Sequence, residues 1–177
     1  HNYVAITCSG NYHVAWGDGT EEDVAAGVKA EHDYSYADAD LVGTECSRGY
    51  RQAIMVVTPQ AGASLTSINF QVAHSAYVLA TYSRSWLEVR MAGASISALS
   101  PPKGIMEIFG FVGPNAITSF ASMFASCPSL HEVAALDTSL ASAFNGMFQY
   151  CYSLQTVPLL NTALGTNFSY MFRSCSS

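Results

Sequence analysis

Residues 120–127 read FASMFASC, residues 144–151 read FNGMFQYC and residues 168–175 read FSYMFRSC. The three stretches begin 24 residues apart, and each carries a phenylalanine, a Met-Phe pair and a cysteine at the same positions. The agreement continues downstream, because residues 128–138 and 152–162 share two leucines, a valine and a threonine in the same register. A repeat at a fixed interval is the sequence signature of a chain that winds into similar coils stacked along one axis.

The apolar residues of each repeat predict which side faces inward. Phe120, Phe124 and Cys127 are spaced i, i+4, i+7, which predicts a short helical or 3₁₀ turn with one buried face. A single repeat cannot bury that face alone, so we expect neighbours to stack and to form ladders of Phe, Met, Cys and Leu. Asp137 and Asn161 stand at equivalent positions after the apolar run, where a side-chain oxygen can accept a backbone N–H in a turn.

The five cysteines fall into two groups. Cys127, Cys151 and Cys175 follow the repeat interval, and we expect them to be buried thiols, because side chains on stacked rungs point in parallel directions. A bridge between adjacent rungs is the alternative. Cys8 and Cys46 lie upstream and could form a disulfide in an oxidising compartment. The sequence has no CxxC or Cys/His zinc spacing, so no metal site is expected.

The segments MFASCPSLHEVAALDTS and MFQYCYSLQTVPLLNTA resemble the BspA-type leucine-rich repeats of bacterial surface proteins and related phage proteins. The resemblance covers residues 118–177 and implies a right-handed solenoid that offers a surface for adhesion or assembly and carries no catalysis. The structural residues that the repeat pattern marks in this part of the chain are Phe124, Cys127, Phe148, Cys151, Phe172 and Cys175.

Three apolar segments upstream recur at looser spacing: LTSINF at residues 65–70, WLEVRM at residues 86–91 and MEIFGF at residues 106–111. Each is typical of a short strand with alternating inward residues. We interpret residues 63–117 as irregular coils that cap the solenoid, since terminal repeats are usually atypical. An ordinary antiparallel sheet is the alternative.

The N-terminal part predicts strands at residues 3–7 and 12–16, a tight turn at the sequence GDGT that follows, and a buried strand at residues 53–58. The order of strand, WGDGT turn, H-x-Y and G-Y resembles the PKD-type immunoglobulin-like domain. That resemblance implies a small β-sandwich over residues 1–62, in which the turn aspartate accepts backbone N–H groups. The residues that carry it are Trp16, Gly17, Asp18, Gly19, Thr20, His32, Tyr34, Gly49 and Tyr50.

Two groups of polar residues are candidate chemical sites. Asp18 with His13 and His32 could serve as an acid–base or metal cluster, but the PKD-like turn gives Asp18 a structural role. Asp33, with the acidic residues Asp38 and Asp40, could bind Ca²⁺ through oxygen ligands, although no EF-hand spacing is present. A solvated acidic loop explains the same residues.

Composition excludes several classes of function. The net charge of −6, with only two lysines, argues against nucleic-acid binding. No apolar run approaches the roughly 18–20 residues that span a bilayer. GxSxG, P-loop and GxGxxG motifs do not occur, so we expect no enzyme activity, no catalytic residues and no cofactor.

The fold class expected is therefore mainly β: a small PKD-like β-sandwich followed by a leucine-rich-repeat-like solenoid with short helical turns. The function expected is that of a non-enzymatic structural protein of a virion, such as a tailed-phage fibre, or of a cell surface, located outside the cell and part of an oligomeric assembly. The alternative is an adhesin that binds a host glycan or protein through the solenoid face. Exposed tyrosines would favour the alternative, but Tyr150 and Tyr170 do not share a repeat position.

The last repeat stops early. Ser177 aligns with Ser129 and Ser153, and in both earlier copies the next residue is a leucine. Solenoids normally close their ends with capping repeats, so we expect further repeats or another domain beyond Ser177.

Overall fold

The computed structural model describes residues 2–35, 37, 41–42, 44–45, 51–76 and 85–177. The described residues are mainly β and contain no α-helix, which confirms the expected fold class at this level. No segment among them forms a helix long and apolar enough to cross a membrane. The strands are β1 Asn2–Cys8, β2 Tyr12–Ala15, β3 Glu21–Val24, β4 Lys29–Tyr34, β5 Val56–Pro59, β6 Ser67–Asn69, β7 Glu88–Met91, β8 Ala98–Ser100, β9 Ile108–Phe111 and β10 Glu132–Ala135.

Three sheets organise these strands, in the orders β4-β1-β6-β8, β3-β2-β5 and β10-β9-β7. The two strands predicted near the N-terminus are confirmed as β1 and β2. Alternate residues of β1, namely Val4, Ile6 and Cys8, are buried, and so are Tyr12 and Val14 of β2. Both sets belong to one hydrophobic cluster, as expected for strands with one face turned to a shared core.

The predicted buried strand at residues 53–58 is wrong in its extent and its burial. β5 begins only at Val56, which is 49% exposed, and Ile54 before it is 78% exposed. The physical reason is position in the sheet. Among the described strands β5 pairs with β2 and lies at the edge of its sheet, so it is not covered like a central strand.

The three apolar segments of the middle are not equivalent. The segments at residues 86–91 and 106–111 contain β7 and β9, which pair in parallel with each other. The segment at residues 65–70 contains β6, which is antiparallel to β1 and parallel to β8 in a different sheet. The described strands between residues 67 and 135 pair with one another in parallel, which argues against an ordinary antiparallel sheet there. Antiparallel pairing of β6 with β1 links the chain on both sides of residue 62.

The β10-β9-β7 sheet follows a regular winding of the chain. Glu88 pairs with Ile108 at an offset of 20 residues, and Ile108 pairs with Glu132 at an offset of 24. An isolated parallel bridge then joins Glu132 to Thr156, again at 24. The carbonyls of Leu87, Glu107 and His131 each accept two N–H groups from the next turn of the chain.

The helix predicted as one form of the turn at the start of each repeat is wrong. These residues form successive tight turns, in which Met123 and Ala125 donate to the carbonyls three residues earlier while the alternate N–H groups bond to the following repeat. The N–H groups of Phe120, Ser122, Phe124 and Ser126 donate to the carbonyls of Ala143, Asn145, Met147 and Gln149 at 2.8–2.9 Å. Those of Phe144, Gly146, Phe148 and Tyr150 donate to Asn167, Ser169, Met171 and Arg173 at the same distances.

Left-handed backbone conformations recur with the same interval. Ser122, Gly146 and Tyr170 have φ of 54–61°, and the series Ser126, Tyr150 and Ser174 has φ of 59–63°. A residue in this conformation every fourth position turns alternate amides toward the neighbouring repeat and is incompatible with a helix. We refer to residues 118–141, 142–165 and 166–177 as units 1, 2 and 3.

Candidate functional site

The residues of the WGDGT and H-x-Y motifs meet in one cluster. Asp18 Oδ1 accepts the N–H of Thr20 at 3.1 Å and its hydroxyl at 2.6 Å, while Oδ2 accepts the ring N–H of His32 at 2.6 Å. The His32 ring stacks on Trp16, with ring centroids 4.8 Å apart, and meets the edge of Tyr34. The Tyr34 hydroxyl donates to the carbonyl of Trp16 at 2.6 Å.

The electrostatics of this cluster fit a structural role. Burial of the Asp18 carboxylate would raise its pKa, but the hydrogen bonds from Thr20 and His32 outweigh burial and hold the pKa below its ordinary value. Burial also raises the pKa of Tyr34. Both oxygens of Asp18 are occupied by groups that fix the turn and tie it to β4. The geometry therefore locks two parts of the backbone together and leaves Asp18 engaged as an acceptor.

His13, which was also a candidate from the sequence, does not join this cluster. His13 lies on the β2–β3 hairpin and its Nδ1 is 2.9 Å from Asp23. Asp38 and Asp40, as well as Cys46, Gly49 and Tyr50, lie outside the described residues. Among the residues that the structure does describe, no group of three or more His, Cys, Asp or Glu side chains is placed to hold a metal ion.

The repeated phenylalanines form two stacks. Phe124, Phe148 and Phe172 lie with ring centroids 5.5 and 5.3 Å apart and nearly parallel planes. A second stack consists of Phe120, Phe144 and Phe168, with centroids 6.2 and 5.2 Å apart. Within units 1 and 2 all four rings are fully buried, and the methionines at the repeat position, Met123, Met147 and Met171, are buried too.

The repeated cysteines are free thiols, as expected. The thiols of Cys151 and Cys175 lie 3.0 and 3.1 Å from the carbonyl oxygens of Phe124 and Phe148, one unit earlier. Burial raises the pKa of the Cys151 thiol to about 12. The Cys151 thiol therefore stays protonated and acts as a small buried donor within the stack, while Cys175 is partly buried.

Unit 3 presents a face that differs from the interior of the stack. Its alternate N–H groups, from Phe168, Tyr170, Phe172 and Ser174, have no acceptor among the described residues, although the equivalent amides of units 1 and 2 are all bonded. Six large apolar side chains between residues 157 and 172 are also exposed. We call these residues the end face: Val157, Leu159, Leu164, Phe168, Tyr170 and Phe172.

Two tyrosines of units 2 and 3 are exposed, and one of them, Tyr170, belongs to the end face. Tyr152 is 50% exposed and Tyr170 is 64% exposed. The guanidinium of Arg173 lies 5.3 Å from the centre of the Tyr170 ring, a distance typical of a cation–π contact. As the sequence indicated, the tyrosines do not form a stripe with the 24-residue interval.

A cleft of about 690 Å³ lies between the N-terminal strands and β7, lined by Val4, Tyr34, Arg51, Trp86 and Arg90 among others. Each arginine has a glutamate close by, Glu45 for Arg51 and Glu88 for Arg90. The cleft therefore offers little net positive charge to an anionic ligand, and we assign it no function.

Sequence reasoning missed one residue of the stack, Lys103. It stands 24 residues before Cys127 and so occupies the position of the repeated cysteines. Its Nζ reaches into unit 1, where it lies within hydrogen-bond distance of two main-chain carbonyls. The signal that could have found it is the continued register upstream of residue 118, combined with the adjacent Pro101 and Pro102.

Comparisons with protein family models, with curated proteins and with solved structures found no match to this chain.

Proposed function

We propose that this chain is a non-enzymatic structural protein of a virion or cell surface that acts through protein–protein contacts. In this proposal residues 1–62 form a PKD-like sandwich, residues 63–117 form capping coils, and residues 118–177 form BspA-like repeats of a solenoid. The resemblance of the two motifs supports it, and so do the 24-residue hydrogen-bond register and the stacked phenylalanines. A location outside the cell follows from the same resemblance.

The observation that carries the proposal is the 24-residue register of hydrogen bonds that stacks the units. The open amides of unit 3, beside exposed apolar side chains, fit a further polypeptide segment, whether the continuation of this chain or part of another protein. Phe168 and Phe172 are 42% and 49% exposed, so covering both would contribute about 1 kcal/mol each. A segment that fits must offer carbonyl oxygens to the alternate amides of unit 3.

A second function has one specific observation in its favour. Exposed Tyr170, with Arg173 over its ring, is the kind of aromatic side chain that can stack on a sugar or contact a host protein. It supports the alternative of an adhesin that recognises a host glycan or receptor.

A photo-crosslinking experiment separates these functions. Benzoylphenylalanine in place of Phe172 puts the reactive group on the end face, and the same residue in place of Val112, which is 61% exposed, is the matched control. In the assembly from which the chain is isolated, we expect a polypeptide crosslink from position 172 and none from position 112.

Two results would contradict the assembly function. Equal crosslinking from both positions would mean that contact at the end face is nonspecific. A carbohydrate adduct without a polypeptide adduct at position 172 would favour the adhesin.

A further inference from the structure

Two main-chain carbonyls of the first unit need hydrogen-bond donors that the backbone before that unit does not supply. Between units 1 and 2, the carbonyls of Met147 and Gln149 in unit 2 accept hydrogen bonds from the amides of Phe124 and Ser126 in unit 1. The equivalent carbonyls in unit 1 are those of Met123 and Ala125. The residues that would donate to them, 24 positions before Phe124 and Ser126, are Ser100 and Pro102.

Neither position provides the required amide. Proline has no N–H, so Pro102 cannot take the part that Ser126 and Tyr150 play in the later units. Ser100 is the last residue of β8, which pairs with β6. The carbonyls of Met123 and Ala125 thus require a donor from another source, because a buried carbonyl without a partner is costly.

Lys103 supplies that donor. Its Nζ lies 2.9 Å from the carbonyl oxygen of Met123 and 2.7 Å from that of Ala125. An ammonium group carries three N–H donors on a flexible stem, so one side chain can serve both oxygens. We infer that Lys103 closes the carbonyl edge of the repeat stack at Met123 and Ala125 by replacing the two missing backbone donors.

The environment of the ammonium agrees with this role. Burial lowers the pKa of Lys103, and the nearby thiols of Cys127 and Cys151 oppose that effect. The side chain lies at the repeated cysteine position, so its stem follows the same inward path as the thiols. An apolar side chain of similar length, such as methionine, could fill the space but could not donate to the carbonyls.

The test compares Lys103→Met with Lys103→Arg in the full chain. Methionine keeps much of the length and removes the donors, so we expect the folding equilibrium constant to fall roughly tenfold to a hundredfold. Arginine retains donors, and we expect a fall of less than about fivefold. Equilibrium denaturation measures both changes.

A second readout separates hydrogen bonding from simple packing. In Lys103→Met the carbonyl ¹³C chemical shifts of Met123 and Ala125 should move, while those of Met147 and Gln149 should stay in place. Unchanged stability, equal losses in both variants, or carbonyl shifts that do not respond would overturn the inference.

If Lys103→Met does not fold, the wild-type chain decides. Slow hydrogen exchange of the Lys103 ammonium then supports the closure, and fast exchange overturns it. Crosslinking from position 172 probes the opposite edge of the stack. The role of Lys103 and the proposed function are therefore tested independently, and one can fail without the other.

Discussion

Replacing Phe148 with alanine is expected to lower the free energy of unfolding by about 3–5 kcal/mol. The Phe148 ring is fully buried and lies between the rings of Phe124 and Phe172, at 5.5 and 5.3 Å. Its removal leaves a cavity with occupied rungs on both sides, and the hydrogen bonds between units hold the backbone in place. The site therefore cannot collapse easily around the smaller side chain.

Urea denaturation measures this loss, and Phe172→Ala is the matched control. Phe172 has the same repeat position but is 49% exposed, so its truncation should cost about half as much or less. A loss below about 1 kcal/mol at Phe148, or equal losses at the two positions, would contradict stacking of the repeats.

Replacing Asp18 with asparagine or alanine is expected to destabilise the N-terminal part by about 2–3 kcal/mol at neutral pH. The carboxylate is only 9% exposed and accepts three hydrogen bonds, from the amide and hydroxyl of Thr20 and from His32. Removing it leaves these donors without their charged acceptor. Polypeptide crosslinking from position 172 should be unchanged in the folded fraction, because the cluster is structural.

The pH dependence gives this prediction its control. The folded-state pKa of Asp18 lies below its ordinary value, so its contribution is fully present above the unfolded pKa of about 3.9 and is lost as pH falls through the folded value. The difference in unfolding free energy between wild type and Asp18→Asn should therefore shrink in acid. A variant as stable as wild type at pH 7 that has lost binding would show that Asp18 is a functional residue.

The sequence predicts the stacked side chains well because a constant repeat interval places equivalent residues at the same position in each coil. Residues that recur every 24 positions with identical apolar type face the same interior, as the stacks of Phe120 and Phe124 with their counterparts demonstrate. Asp137 and Asn161 behave as predicted, each accepting the backbone N–H two residues later. These features depend on local spacing and on burial.

The helical turn could not be rejected from spacing alone. An i, i+4, i+7 pattern describes a helix face, but a chain with left-handed residues at Ser122 and Ser126 places the same side chains inward while its amides bond to the next unit. A serine in the sequence does not indicate a positive φ, whereas a glycine can. The role of Lys103 could not be predicted from the sequence for a related reason, since it depends on hydrogen bonds between distant segments.

The WGDGT and H-x-Y residues were identified as one structural group, and the structure places Trp16, Asp18, His32 and Tyr34 in contact. The extent of β5 was not predictable, because an apolar run such as AIMVV carries no information about whether the strand lies at an edge. Val56 is half exposed for that reason.

Amide hydrogen exchange, measured residue by residue, tests the repeat stack and its open end face most directly. We predict strong protection, at least about a hundredfold, for the alternate amides of unit 2, which bond to unit 3 at 2.8–2.9 Å. The equivalent amides of unit 3 should exchange close to the unprotected rate in the isolated chain. Uniform protection of both sets, or rapid exchange at Phe144, Gly146, Phe148 and Tyr150, would contradict the stacked register and the donor-rich face on which the proposed assembly function depends.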